Sequence, residues 1–212
     1  MNERSFEEQE FNEVFFYTYK AFCGVKGEQK YGFDFNRVLN GCSKGNLKAQ
    51  EYLFKEYYGY VMSIALRFSS CHDNAMEIVN DSFLKIFRKI GSYQIDKEFK
   101  PWIRKIVVNT AIDYYRRDKK NGIEISIELA YDEPVDESVI DNLNAEEILK
   151  LINSLPMKYR YTFNLFEIEG FSHDEIAIQL GITESTSRSY LSRAKKMLRQ
   201  MILINNNYER AV

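Results

Sequence analysis

Phe171–Arg199 reads FSHDEIAIQLGITESTSRSYLSRAKKMLR, and its spacing decides the fold of the C-terminal part of the chain. Ser172 is a good helix N-cap, and Glu175 follows three residues later, so the two form the pattern of a capping box. Ile176, Ala177 and Leu180 share one helical face. Gly181 supplies the positive φ that a sharp helix-to-helix turn requires. Thr183 then caps a second helix, whose inward stripe runs Tyr190, Leu191, Ala194, Leu198 and Met201. Its outer face carries Ser185, Thr186, Arg188, Ser189, Ser192, Arg193, Lys195, Lys196 and Arg199. The pattern is a helix-turn-helix with an apolar back and a front of hydroxyls and cations. Short polar groups suit base edges in a major groove, and cations suit phosphates. A merely solvated basic face and a protein-binding helix-turn-helix are the alternatives this segment alone leaves open.

The chain has 212 residues, room for one or two domains, and 45% hydrophobic residues are enough for a packed core. A net charge of −2 hides strong segregation. Residues 97–120 hold eight basic and three acidic side chains, net +5. Residues 121–147 hold nine acidic and no basic ones, net −9, and 171–203 hold five basic and three acidic, net +2. Two basic blocks flanking an acidic one say more about partners than the sum does. Cys23, Cys42 and Cys71 form no CxxC pair, and with His72 and His173 as the only histidines no zinc spacing exists. No cofactor or metal is expected, and the scattered carboxylates suggest no enzyme. The odd cysteine count suits a reducing cytoplasm. No apolar run reaches the length of a membrane span, and the acidic N-terminus is unlike a signal peptide, so no membrane insertion is expected.

Pro and Gly are scarce, and nearly every long segment has the helical period, which predicts an all-α protein. Residues 1–33 form an N-terminal extension that is first acidic and then strongly aromatic, with no chemistry to assign. Residues 34–118 form a first helical domain. Its helices are begun by Phe35, Val38 and Leu39, then span Gln50–Phe68 and Asn74–Ile90, and a third helix opens at Pro101, where a missing N–H costs nothing. Residues 119–139 are an acidic flexible linker. Residues 140–204 are a second small helical domain, the helix-turn-helix (winged-helix-like), with a break at Leu155–Pro156, and 205–212 are a tail.

The stretch FKPWIRKIVVNTAIDYYRRDKK interleaves aromatics with cations: Phe99, Lys100, Trp102, Arg104, Lys105, Tyr114, Tyr115, Arg116 and Arg117. Cations hold phosphates, and exposed rings stack on bases that have left the duplex, a combination suited to single-stranded or melting DNA. The same residues also fit a core of aromatic rings with a solvated basic rim.

Together these segments closely resemble the bacterial RNA polymerase sigma factors of the extracytoplasmic-function (ECF) group in the sigma-70 family. The likeness covers roughly Val38 to Leu198. NAMEIVNDSFLKIFRKI resembles the family's helix that docks on the clamp of the largest polymerase subunit. The FKPWIRKIVVNTAIDYYRR stretch resembles the helix that melts and reads the −10 element. LPMKYRYTFNLFEIEGFSHDEIAIQLGIT and SRAKKMLR resemble the domain that reads the −35 element. The resemblance implies core-polymerase contacts at Glu77, Asp81, Phe83, Lys85 and Arg88. It implies −10 contacts at Lys100, Trp102, Arg104, Lys105, Asn109, Asp113, Arg116 and Arg117. It implies −35 contacts at Ser185, Thr186, Arg188, Ser189, Ser192, Arg193 and Lys196. The loop Gly91–Glu98 resembles the element that pockets a flipped base, whose extrusion costs a few kcal/mol. The implied partners are core RNA polymerase and promoter DNA, with an anti-sigma factor as a further candidate and no small-molecule substrate.

Three positions depart from the family's pattern. Met76 stands where an acidic residue is usual. Ser187 replaces an inward Val, an exchange expected to weaken packing by roughly 1–2 kcal/mol through lost apolar burial. Tyr190 stands where a basic residue is common. The competing functions are a stand-alone helix-turn-helix regulator, expected to bind DNA tightly by itself and usually as a dimer, and a recombinase or nuclease. The enzyme needs a nucleophile in an α/β domain or a metal-binding carboxylate cluster, and neither pattern is present.

Overall fold

A computed structural model describes residues 35–120, 122 and 145–209, and among these there is no strand and hence no wing. The N-terminal extension and the acidic linker from 123 onward lie outside the described residues. The described chain forms eight α-helices: α1 Phe35–Ser43, α2 Leu47–Phe68, α3 His72–Lys89, α4 Phe99–Lys120, α5 Ala145–Ser154, α6 Met157–Phe163, α7 His173–Leu180 and α8 Glu184–Glu209. Two compact units share them, and the division falls inside α4, after Tyr114 rather than after Asp118.

In the first unit, α2 is the central helix. Asn46 caps it, its side-chain oxygen accepting from the Ala49 N–H at 3.1 Å. Leu53, Val61, Ile64, Ala65 and Phe68 are almost wholly buried along it. Ile78, Val79, Phe83 and Ile86 of α3, which packs on α2, and Ile103, Val107 and Ala111 of α4 are likewise buried, all at the helical period expected of core faces. Each large apolar side chain so buried contributes about 1.5–3 kcal/mol. Gly41 lets α1 approach α2, for a Cβ there would stand 2.8 Å from the Ala49 Cβ. After α3 a short 3-10 turn, Ile90–Ser92, leads into the loop before α4. That helix starts at Phe99, two residues ahead of Pro101, which still lies in the first turn where no intrahelical N–H bond is lost.

In the second unit, Ile148, Leu151, Ile152 and Leu155 form one stripe that packs with Tyr159 and Phe163 on Leu191, Ala194, Leu198 and Ile202 of α8. Pro156 is the N-cap of α6, and its carbonyl accepts from Tyr159 and Arg160 N–H, both at 3.0 Å. A π-turn, Asn164–Ile168, closes α6. The capping box forms at the start of α7, with the Glu175 carboxylate accepting from Ser172 N–H and Oγ at 2.9 Å each. Gly181 ends α7 in the left-handed conformation, φ 62°. The last residues of α4 join this unit, with the Tyr115 ring 4.8 Å from that of Tyr161.

Candidate nucleic-acid interface

On α3 the helical phase sorts the expected contact residues. Glu77 and Arg88 are exposed, and Asp81 and Lys85 are half-buried. Phe83 is not on that face. It is 2% exposed, with its ring 4.5 Å from Phe54, and belongs to the core. The apolar residue that does lie on the outer face is Leu84, 53% exposed, between Asp81 and Arg88. Sequence reasoning passed over it, although it falls off the stripe of Val79, Phe83, Ile86 and Ile90. Met76 fills a half-buried place under Tyr58, whose hydroxyl lies 3.2 Å from the Met76 sulfur.

At the start of α4, Phe99 is buried and gathers four rings at centroid distances of 5.0–5.4 Å: Phe35, Tyr57, Tyr93 and Trp102. Trp102 is half-buried, stacked on Phe99 and 5.2 Å from the Tyr93 ring, so it is part core and part surface. Tyr93, which reaches this cluster from the Gly91–Glu98 loop, donates its hydroxyl to the Lys97 carbonyl. The loop is therefore braced at both ends, and Ile95 stands exposed on it. Lys100 is half-buried, with its ammonium 5.7 Å from the centre of the Tyr60 ring. Arg104 is half-buried, and Lys105, Asn109 and Asp113, four residues apart, form an exposed row on α4.

Asp113 is held by Lys85 at 2.8 Å, and Tyr114 donates to Asp81 Oδ2 at 2.8 Å, so two polar contacts tie α4 to α3. Tyr114 therefore points to a hydrogen bond rather than into the core. Tyr115 is 2% exposed and offers no face to a base, against the expectation of two interleaved tyrosines.

In the second unit the Arg116 guanidinium donates through Nε to the Gln179 carbonyl at 2.7 Å and through Nη2 to Gln179 Oε1 at 3.1 Å. Lys119 donates to the Leu180 and Gly181 carbonyls at 3.2 and 3.1 Å. These are the unpaired carbonyls at the negative end of α7, where cations are favourable. Arg117 is exposed and lies 3.5 Å from the Asp118 carboxylate.

Along α8, Ser185, Arg188, Ser189, Ser192, Arg193 and Lys196 are all exposed on one side. Thr186 is half-buried, engaged with Thr183, whose Oγ1 accepts from the Thr186 N–H at 3.1 Å. Arg188 pairs with Glu184 one turn back. Arg193 donates to the Tyr159 hydroxyl at 3.3 Å, and Tyr159 meets Tyr190 edge to face at 5.3 Å. Lys158 lies over both rings, 5.4 and 5.8 Å from their centres. Tyr190 thus brings a cation from α6 beside the helix where it lacks one of its own, and sequence spacing could not have found Lys158 because it lies on another helix. Lys195 leaves the expected outer face. Its ammonium is 2.9 Å from the Glu167 carboxylate, and both side chains are nearly buried.

Burial lowers the pKa of His173, the larger cause, and the neighbouring Arg188 lowers it further. Burial pushes the Cys42 thiol up to about 11, which leaves it an inert core residue. Among the described residues no cluster of His, Cys, Asp or Glu could hold a metal ion, and no helix is long and apolar enough to cross a membrane.

Residues 53–121 match the family model for sigma-70 region 2, and residues 145–198 match that for sigma-70 region 4. The ECF RNA polymerase sigma-E factor of Escherichia coli K12 is 30% identical over 174 residues, 76% of this chain and 90% of its own. The ECF RNA polymerase sigma factor SigE of Mycolicibacterium smegmatis is 27% identical over 155 residues, 71% of this chain, and the match spans 60% of that longer protein. The solved structure of the sigma factor RpoE of Bartonella quintana with the anti-sigma factor NepR aligns at 26% identity and a TM-score of 0.43, over 74% of this chain and 98% of that one.

Proposed function

The chain belongs to the extracytoplasmic-function group of the sigma-70 family of RNA polymerase sigma factors, and we propose that it binds core polymerase and directs initiation by dividing promoter contact between its two helical units. The observation that supports this reading is the presence on one chain of two unlike surfaces, each of a composition suited to DNA. One is a helix of stacked aromatics and cations, suited to opened strands. The other is a helix-turn-helix with an exposed hydroxyl-and-cation face, suited to duplex. The first would take the −10 strand on Lys100, Trp102, Arg104, Lys105, Asn109 and Asp113, with Arg116 and Arg117 joining once freed from their contacts. The second would take the −35 duplex on Ser185, Thr186, Arg188, Ser189, Ser192, Arg193 and Lys196, with Lys158 added beside them.

Core polymerase would dock on Glu77, Asp81, Lys85 and Arg88, with exposed Leu84 as the apolar anchor of that face. An anti-sigma factor is the further candidate partner. The protein acts by binding rather than by catalysis, and its place of action is the cytoplasm, where promoter and polymerase meet. Each unit alone makes a modest contact. Core, by holding both units, raises the effective concentration of the second for its element once the first is bound.

Run-off transcription with purified chain, core polymerase and fragmented genomic DNA tests this. Discrete starts that require the chain and disappear with Trp102→Ala or Arg193→Ala are expected. No new starts, together with tight DNA binding by the free chain, would replace this reading with the stand-alone regulator.

A further inference from the structure

Between the two helices of the helix-turn-helix lies a polar pair that the DNA-facing surface does not use. Ser187, in the first turns of α8, has no exposed surface, and His173, the first residue of α7, is 9% exposed. The Ser187 hydroxyl and His173 Nδ1 share a hydrogen bond of 2.9 Å. A face of the imidazole is stacked on Phe166, with centroids 4.4 Å apart. The Ser187 N–H is already spent on the Thr183 carbonyl at 3.0 Å, so the side chain alone makes the link between helices.

A buried hydroxyl costs free energy unless a partner meets it, and here the partner is fixed in turn by a ring. The surrounding contacts of Ile176, Leu180, Leu191 and Ala194 are apolar and non-directional. A hydrogen bond is satisfied only within a narrow range of distance and angle. The pair therefore singles out one setting of α8 on α7, which the apolar seam by itself leaves loosely defined. Arg188 and Ser189, the next two residues of α8, are exposed on the DNA-facing side, so any rotation or slide at Ser187 moves them directly.

We propose that His173 and Ser187 are positioning residues for −35 recognition, setting the angle at which the recognition helix α8 presents its base-reading side chains. This rests on the reading of α8 as the −35 helix. Base readout depends on bidentate geometry, so a small shift weakens discrimination between sequences more than it weakens phosphate attraction. The pair's loss would show as lost selectivity at little cost in bulk affinity.

The test is transcription by holoenzyme assembled from the full chain, on one promoter with its −35 element intact and one with it scrambled, beside thermal unfolding of the free chain. His173→Phe and Ser187→Val should each lower the intact-to-scrambled ratio on the order of tenfold, the scale of a coupled buried pair. His173→Asn, which places an amide near the position of Nδ1, should restore most of it. His173→Phe with Ser187→Val, which removes both polar groups together, should do better than either change alone. Variants that unfold at lower temperature but keep the parental ratio while folded would overturn the proposal and leave the pair a stability element only. A parent chain that ignores the −35 sequence would overturn the underlying reading of α8, and the proposal with it.

Discussion

Lys85 of α3 and Asp113 of α4 form an ion pair of 2.8 Å, joining a residue expected at the polymerase surface to one expected at the −10 strand. Neither charge can serve its partner without releasing the other. The side chains are 35% and 56% exposed, so the pair itself contributes little to stability, at most about 1 kcal/mol. Lys85→Ala and Asp113→Ala should accordingly leave urea unfolding nearly unchanged while lowering promoter-specific transcription. If the pair acts as a unit, the double variant is no worse than the worse single one. Losses that add in run-off assays would show two independent contacts instead.

Much of this architecture was legible in the residues because each signal was local. The capping box at Ser172 and Glu175, the turn at Gly181 and the break at Leu155–Pro156 each depend on neighbours within four positions, and each appears where the sequence puts it. What escaped was set by tertiary partners. Lys195 has the phase of an outer residue, yet Glu167 on the preceding π-turn draws it in. Ser187 read as a weakened apolar contact, yet His173, fourteen residues away, makes it a satisfied polar one. Phe83 and Leu84 are adjacent apolar residues, and only the position of α3 on α2 settles which of them is core.

Gly181 is the one residue between α7 and α8 with a left-handed backbone, at φ 62°. A Cβ there would meet no neighbouring atom, so the cost of substitution is conformational rather than steric. Gly181→Ala should destabilise the chain by about 1–2 kcal/mol. Gly181→Asn should cost less, since asparagine tolerates this region. Urea denaturation of the two variants checks the order, and equal losses would mean that lost backbone freedom is not the cause.

His173 predicts a pH dependence of stability. Its folded-state pKa is lowered by burial and by Arg188, against the opposing pull of Glu184 and Glu167. The unfolded chain then binds a proton that the folded chain refuses, so stability rises with pH across this range. The contribution is complete above the ordinary value of 6.5 and is lost as pH falls below it toward the depressed folded value. The unfolding temperature should therefore drop between about pH 7.5 and pH 5.5. His173→Asn, which keeps a hydrogen-bonding group but does not titrate there, should remove this drop, so that its curve is flatter than the parental one and the two diverge as pH falls. The two curves running parallel would remove His173 as the source.

Arg193, Lys195 and Lys196 of α8 differ in exposure, and salt separates them. Arg193 and Lys196 are exposed, whereas Lys195 is paired with Glu167 at 2.9 Å with side-chain exposures of only 12% and 14%. A cation on a phosphate releases condensed counterions, and its loss reduces the slope of log affinity against log salt by about 0.9 per contact. Lys196→Ala should therefore lower the slope of holoenzyme binding to a promoter fragment by about one while leaving the unfolding midpoint in place. Lys195→Ala should do the reverse. It leaves the Glu167 carboxylate nearly buried without its partner, which costs on the order of 3 kcal/mol of stability, and it leaves the slope unchanged. A shallower slope in Lys195→Ala with unaltered stability would place that ammonium on DNA and show that the pair with Glu167 opens on binding.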